Sequence, residues 1–324
     1  MDALPHDLLM HGRTALAYSV VGDPAVQSFR AREGTVLFGR VWTPGGKRTV
    51  VASNPLCHDA ALPRVLGELV EAFPDAAFFQ VTAKVTEALA AFGYERTHLA
   101  VERTVLLQDW SKSGEKQQCL RTAYNRALRD GHEIVEARAE DVGIDELERI
   151  SEAWMQTKRL RHRAISFFAR PAIYEHEPAV RKFFALRNGV PTAFVVFDPM
   201  FENGREVGYV AMTLRQDPAE SPGLCDAVIV HAAEQFKREG LRELHLGMSP
   251  FCPPRDPQAT QGEPGVASLL VTMNWSLLNV LFNYQGIAGH KRRWRARESA
   301  VYYAGKPGRA FFDFFAAARI TGIL

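Results

Sequence analysis

The segment RKFFALRNGVPTAFVVFDP, residues 181–199, decides the fold class of this 324-residue chain. Its two apolar runs, 181–189 and 191–199, read as strands joined by an Asn-Gly turn, the strongest short-range hairpin signal. A third strand-like run, EVGYVAMTLRQ (206–216), extends the meander. A helix-period segment from about Leu224 to Arg238 then leads into a short strand, RELHLGM (242–248). Strands feeding a helix and then another strand predict an α/β layer fold and not an all-β sandwich.

The same order precedes this segment. TALAYSVV (14–21), TVLFGRVW (35–42) and RTVVAS (48–53) read as strands, and Leu62, Val65, Leu66 and Leu69 share one face of a helix over 61–73. A strand (76–82), a helix (83–91) and a long strand (97–107) follow. The repeated order predicts a duplication in two domains, 1–139 and 140–324, in keeping with a prior of about 150 residues per domain. Two connector helices lie between the halves. One, Lys116–Asp130, places Leu120, Tyr124 and Leu128 on an apolar stripe; the other, near Asp145–Lys158, turns Leu147, Ile150 and Trp154 inward. No Ser/Gly linker separates the halves, which predicts a sizeable shared interface. A last strand is expected over 298–305.

Composition narrows the class. With 47% hydrophobic and 23% charged residues, the chain is neither disordered nor collagen-like. Lys plus Arg is 39 and Asp plus Glu 37, a net charge of +2, which argues against a protein that coats nucleic acid and leaves room for local phosphate contacts. The four cysteines, Cys57, Cys119, Cys225 and Cys252, are isolated from one another. That spacing suits reduced cytoplasmic thiols, and no Cys/His cluster has metal-ligand spacing. The N-terminus lacks the apolar core of a signal peptide. Residues 264–289 carry no Asp, Glu, Lys or Arg, and are long enough to span a bilayer. Thr272, Asn274, Ser276, Asn279 and Asn283 recur through them, so the reading is a buried, polar-lined helix and not a span.

Candidate chemistry is sparse. KRLRHR (158–163), with Lys158, Arg159 and Arg161, sits where a helix C-terminus would favour cations in any case. GHKRRWRAR (289–297) places five Lys/Arg in seven positions around Trp294, a pattern that suits phosphate contacts: Lys291, Arg292, Arg293, Arg295 and Arg297. The loop RQDPAESPG (215–223) joins a strand to a helix N-terminus, where an acyl-CoA N-acyltransferase would cradle pyrophosphate. It supplies only Gly223, and Pro218 and Pro222 remove donors. Cys57 and His58 would point to opposite faces of a strand, and Cys225 reads as a small apolar group. His245 reads as a satisfied core histidine before it reads as a base. No Ser/His/Asp signature, P-loop or dinucleotide fingerprint is present.

Three ordered segments carry a resemblance: LRTAYNRALRDGHEIVEA (120–137), LHLGMSPF (244–251) and LFNYQGIAGHKRRW (281–294). They are similar to the patterns LRxALNxAxxxGxxFE, FNLGMAPL and YNFQGLxxFKxKF of the phosphatidylglycerol lysyltransferase C-terminal domain family. The match runs in order over nearly the whole chain, and its last motif is the most specific. The resemblance implies two tandem GNAT-like domains. It also implies transfer of an amino acid from aminoacyl-tRNA to a lipid hydroxyl or another small nucleophile, with no cofactor beyond the charged tRNA as co-substrate. Carried over by position, it makes Lys291 the catalytic lysine. Arg215 becomes the arginine bordering the aminoacyl site, and Asp226 the acid of the G-x-x-D turn. Asn283, Gln285 and Gly286 belong to the last motif, and Met248, Ser249 and Pro250 to the cleft-lining strand end.

One position departs. Three residues before the arginine, the resembled lysyl and alanyl enzymes carry an aspartate expected to hold the donor's amino group; here it is Met212, which cannot pair with an ammonium. The donor amino acid, its orientation or the reaction itself is thereby left open. An aminoacyl ester is already activated, so the enzyme has to align the acceptor, take its proton and stabilise the oxyanion. Lys291 or Arg215 would supply positive charge, and Asp226 or His245 would accept the proton. Substrate contacts are expected at Met212, Met248, Ser249, Asn283, Tyr284, Gln285 and Arg170, and tRNA contacts at the two basic clusters. The C-terminal segment 308–324, with Phe311, Phe314, Phe315 and Ala318 on one helical face, is expected to dock on the body; peripheral contact with the inner face of a membrane is its alternative. Two other readings stay open: an acyl-CoA-dependent N- or O-acyltransferase on the same fold, and a non-catalytic tRNA- or lipid-binding relative. The amino acid, the acceptor and the oligomeric state are not legible.

Overall fold

A computed structural model describes residues 4–114, 117–157, 166–256, 260, 265–277, 279 and 283–324. The strands are β1 Gln27–Ala31, β2 Gly34–Thr43, β3 Gly46–Ala52, β4 Leu56–Cys57, β5 Ala76–Val81, β6 Glu95–Leu106, β7 His132–Glu136, β8 Arg181–Arg187, β9 Val190–Glu202, β10 Arg205–Gln216, β11 Glu243–Pro250 and β12 Arg297–Gly305. They form one sheet in the order β1-β2-β3-β5-β12-β6-β11-β10-β9-β8-β7, with β4 on β2. The helices are α1 His6–His11, α2 Ala17–Val21, α3 Leu62–Ala72, α4 Ala83–Ala90, α5 Gln118–Arg129, α6 Ala139–Val142, α7 Ile144–Gln156, α8 Leu224–Arg238, α9 Gly265–Leu277, α10 Tyr284–Arg292 and α11 Ala310–Ile320.

The duplication is visible in the crossovers. In the first half β3 runs parallel to β5 with α3 between them in sequence; in the second, β10 runs parallel to β11 with α8 between them. Antiparallel strands precede each crossover. The strand that follows each crossover then goes to the other half: β6 pairs with β11, and β12 pairs with β5. The two exchanged strands also pair with each other, from Arg297↔Thr104 to Gly305↔Glu95. This reciprocal exchange makes the middle of the sheet common to both halves.

The hairpin prediction holds in detail: Asn188 and Gly189, with φ 53° and 79°, make the primed turn between β8 and β9. Helix α8 is buried along most of its length, with Leu224, Ala227, Val228, Ile229 and Phe236 in the core and Phe236 stacked on Tyr209 at 4.7 Å. Each large apolar side chain taken from water in this way contributes roughly 1.5–3 kcal/mol.

Four expectations need correction. TALAYSVV holds no strand: Ala17–Val21 is a short helix that buries Ala17, Tyr18 and Val20. In α5 the inward face is Leu120, Ala123 and Ala127, and Leu128 is 47% exposed. The charge-free stretch is not one buried helix. Among the described residues it comprises α9 and the start of α10, and Val266, Leu269 and Met273 of α9 face outward. No described helix is long and apolar enough to cross a membrane. The C-terminal segment docks as α11 on β2 and β3, but through Asp313, Ala316, Ala317 and Phe314, with Phe311 left 59% exposed. Buried Asp313 accepts a bond from Tyr303 at 2.7 Å and faces the Arg48 guanidinium at 3.7 Å.

Candidate active site

The site begins where two parallel strands part. β10 and β11 pair at Gly208↔Glu243, Tyr209↔Leu244 and Val210↔His245, and no further. Beyond that point β10 follows β9 to Gln216, and β11 follows β6 to Pro250. A splay opens between them, and backbone groups that would have paired across it are left for other partners.

Lys291, on the last turn of α10, takes one of them: its Nζ donates to the Met248 carbonyl oxygen at 2.7 Å. The path is cleared by a bulge in β11 between His245 and Met248, where Gly247 has φ 70°. A Cβ on Gly247 would lie 3.4 Å from the ammonium, and the backbone there is strained for any other residue. Burial pushes the Lys291 pKa down to about 7; the nearby Arg103 guanidinium adds to this and Glu102 opposes it.

The splay has two different sides. On one, Met212 of β10 and Met248 of β11 pack against the same apolar cluster, which contains Phe79, Ala100, Val301 and Tyr303. On the other, Lys291 and His290 line a small cavity with Ala211, Leu214, Ile229, Leu246 and Trp294. Asp226, in the first turn of α8, reaches this second side. Its Oδ1 accepts the Trp294 Nε1–H at 3.2 Å and lies 3.4 Å from His290 Nε2. Burial raises the Asp226 pKa against the pull of His290, Trp294 and Arg293, and burial lowers that of His290 against the pull of Asp226.

The other expected residues fall at varying distances from this centre. Arg215 lies next to cavity-lining Leu214, with its guanidinium 4.0 Å from the centre of the Trp154 ring and Nη1 donating to the Leu214 carbonyl at 2.9 Å. Burial works against its charge, and among the described residues no carboxylate pairs with it. Ser249 is buried and accepts from Arg103 Nη1 at 2.6 Å; Arg103 in turn pairs with Glu298 at 3.0 Å. His245 is at the apex of the splay, where Nε2 lies 3.0 Å from Thr104 Oγ1 and 3.4 Å from Glu243 Oε2. Arg170 is buried between Asp198 and Glu177, in ion pairs with both. Asn283 is the N-cap of α10: Oδ1 accepts the Gly286 N–H at 3.2 Å. Tyr284 is buried edge-on against Phe251 at 5.2 Å, and Gln285 is exposed.

Arg292, Arg293, Arg295 and Arg297 are all exposed at the end of α10 and the start of β12. Trp294 is not interleaved with them at the surface. It is 1% exposed and stacks on Trp110 with ring centroids 5.8 Å apart, so it offers no face to a nucleotide base. Lys158, Arg159 and Arg161 lie outside the described residues. Among the described residues no group of three His, Cys, Asp or Glu is placed to hold a metal ion. Sequence reading missed His290 and Arg103. The first was hidden in a basic run, and the second gained its partners through β-pairing with distant strands.

The family profile described as phosphatidylglycerol lysyltransferase, C-terminal, matches residues 11–305. A phosphatidylglycerol lysyltransferase of Bacillus subtilis is 23% identical over 319 residues, which is 96% of this chain and 36% of that protein. The chain thus spans about a third of the length of that curated relative. The structure of L-PGS from Bacillus licheniformis superposes with a TM-score of 0.78 at 20% identity, covering 97% of this chain and 94% of that one. The C-terminal domain of a putative lysylphosphatidylglycerol synthetase from Agrobacterium fabrum gives 0.78 at 19% identity, covering 98% and 96%. The shared fold is the mixed α/β sheet of two similar halves described above. From the match of residues 11–305, the chain belongs to the phosphatidylglycerol lysyltransferase C-terminal family.

Proposed function

We propose that this chain is an aminoacyltransferase that moves an amino acid from charged tRNA to a hydroxyl or amine of a lipid or small-molecule acceptor. The observation that carries the reading is the Lys291 ammonium, held by the Met248 carbonyl inside the β10–β11 splay. A cation fixed in a water-poor cleft stabilises the oxyanion that develops when a nucleophile adds to an ester carbonyl. Arg215, buried beside the cavity without a carboxylate partner among the described residues, adds positive charge at its border. The donor ester is activated before it arrives, so the cleft has to align two substrates and move one proton.

The name of the Bacillus subtilis relative specifies a lysyl group and phosphatidylglycerol. Met212 gives no support for carrying the lysyl group over. With Met248 it makes an apolar wall, and neither side chain can hold an ammonium. The acceptor is proposed at the level of class, and so is contact of the exposed arginines at 292–297 with the tRNA acceptor end.

Acyl-CoA is the weaker donor. The helix N-terminus that would receive its pyrophosphate is occupied by the chain itself, since Gln216 Oε1 accepts the Leu224 N–H at 3.1 Å. Asp226 in the first turn of α8 adds a carboxylate where an anion would bind. A thermal-shift titration with coenzyme A is expected to leave the melting temperature unchanged. Incubation with labelled aminoacyl-tRNAs and a lipid extract is expected to move label off tRNA.

A further inference from the structure

Helix α10 brings one more titratable group to the splay, beside the Lys291 ammonium. His290 and Lys291 are consecutive, and both line the cavity formed with Ala211, Leu214, Ile229, Leu246 and Trp294. Behind His290 stands Asp226. Its side chain is 3% exposed, whereas that of His290 is 32% exposed, so the imidazole bridges a buried carboxylate and the open side of the site. Along α8, Leu224, Ala227 and Val228 beside Asp226 are buried and apolar, and the adjacent Cys225 thiol turns to the Arg215 carbonyl at 3.4 Å. The groups that meet its Oδ1, His290 Nε2 at 3.4 Å and Trp294 Nε1 at 3.2 Å, come from the end of α10 and the turn after it. Trp294 is itself fixed, stacked on Trp110 and accepting a bond from Gln117 through its carbonyl at 3.1 Å.

We propose that His290 is the catalytic base of the transfer, and that Asp226 is a positioning residue that acts through it. The proposal rests on the aminoacyltransferase reading. A carboxylate facing Nε2 selects the tautomer that carries its proton there and leaves the Nδ1 lone pair free. Among the described residues Nδ1 has no partner. The same carboxylate stabilises the imidazolium once a proton has been taken, the division of labour seen wherever an acid orients a histidine base. As the acceptor oxygen forms its bond to the aminoacyl carbonyl carbon, its proton passes to His290 Nδ1. When the tetrahedral intermediate collapses, the ester bond to the tRNA ribose breaks and the ribose oxygen takes that proton back. Lys291 faces the oxyanion throughout. The charged groups around His290 are Asp226, which favours its protonation, and Lys291 and Arg293, which oppose it along with burial. Their net effect lowers the imidazole's pKa, which favours the neutral form a base requires.

The test uses the full chain as wild type, His290→Gln, His290→Phe and Asp226→Asn. Each is assayed from pH 5.5 to 8.5 on tRNA charged with a mixture of ¹⁴C-labelled amino acids, in the presence of a lipid extract. ¹⁵N spectra of the histidine side chains are recorded over the same range. His290→Gln is expected to lower kcat by ~10²–10⁴-fold with little change in KM, and to abolish the acidic limb of the wild-type profile. Asp226→Asn is expected to move the His290 titration to lower pH, to mix its tautomers and to lower kcat in parallel. Full kcat in His290→Gln across the pH range overturns the base role, as does an Asp226→Asn spectrum in which His290 is unchanged. The spectra decide if the His290 variants fail to fold. A wild type that moves no label from any charged tRNA overturns the aminoacyltransferase reading and the base role together, and that failure is recognisable because it does not depend on the variants.

Discussion

The Lys291 ammonium donates to the Met248 carbonyl oxygen at 2.7 Å, across the point where β10 and β11 have ceased to pair. In a continuous sheet that carbonyl would face the neighbouring strand; here a side chain from α10 satisfies it and places a cation in the gap. The bond ties the position of α10 to the geometry of the cleft, so changes in either should be felt in both.

Lys291 should therefore cost stability while serving chemistry. Its folded pKa of about 7 lies below the ordinary lysine value of about 10.4, so between those two values the unfolded chain binds more protons. Stability due to this group rises with pH across that window, and the penalty is complete below about pH 7. Lys291→Met is expected to raise the melting temperature at pH 6, with the gain fading as pH approaches 10. Turnover of the same variant should fall about 10²–10³-fold. Thermal denaturation and single-turnover rates at both pH values check this.

Asp226 also has a structural duty, separable from its effect on a base. Asp226→Ala would leave the buried Trp294 Nε1–H without its acceptor, which costs about 1–3 kcal/mol. Asp226→Asn keeps an oxygen in place and should lose much less. Urea denaturation of the two variants measures the difference.

The N-terminus of α10 depends on Asn283, which sits at φ 50° and caps through Gly286, where a Cβ would run into the Asn283 carboxamide. Asn283→Ala should cost about 0.5–2 kcal/mol, and Asn283→Gly only a few tenths, because glycine tolerates the left-handed backbone. Gly286→Ala should resemble the alanine variant at 283 and not the glycine one. Equilibrium unfolding checks the order.

The exposed arginines should act through salt-sensitive binding to phosphates. Removing Arg292 and Arg293 together is expected to weaken tRNA binding at low salt and to reduce the slope of log affinity against log salt by about one for each phosphate no longer neutralised. Filter binding at several salt concentrations gives the slope for wild type and variant. Trp294→Phe, by contrast, should leave that slope unchanged, because the indole is packed on Trp110.

Much of this fold was legible because its signals are local. β-branched alternation marks β2 and β3, and the Asn188-Gly189 turn marks the β8–β9 hairpin. β1 and β7 escaped notice as short, polar segments, QSFRA and HEIVE. At 14–21 a strand-like composition folds as a helical turn because packing of Leu16, Ala17 and Val20 outweighs the local preference. The exchange of β6 and β12 has no local signature, since pairing partners far apart in sequence leave no periodicity behind. The site divides in the same way. Lys291, Asp226 and Met212 were found by resemblance to a family's motifs. The pairing of Asp226 with His290 was not, because it joins the start of one helix to the end of another. Trp294 was misjudged because its basic sequence neighbours suggested exposure, while the turn after α10 carries it into the core.

If this cleft moves an aminoacyl group, label transfer from a full set of labelled aminoacyl-tRNAs in the presence of a lipid extract measures it directly. Label should appear on a lipid or a small molecule with wild type and fall about 10²–10³-fold with Lys291→Ala of unchanged fold. Label that remains on tRNA with every donor, or transfer that persists at the wild-type rate in Lys291→Ala, would contradict it.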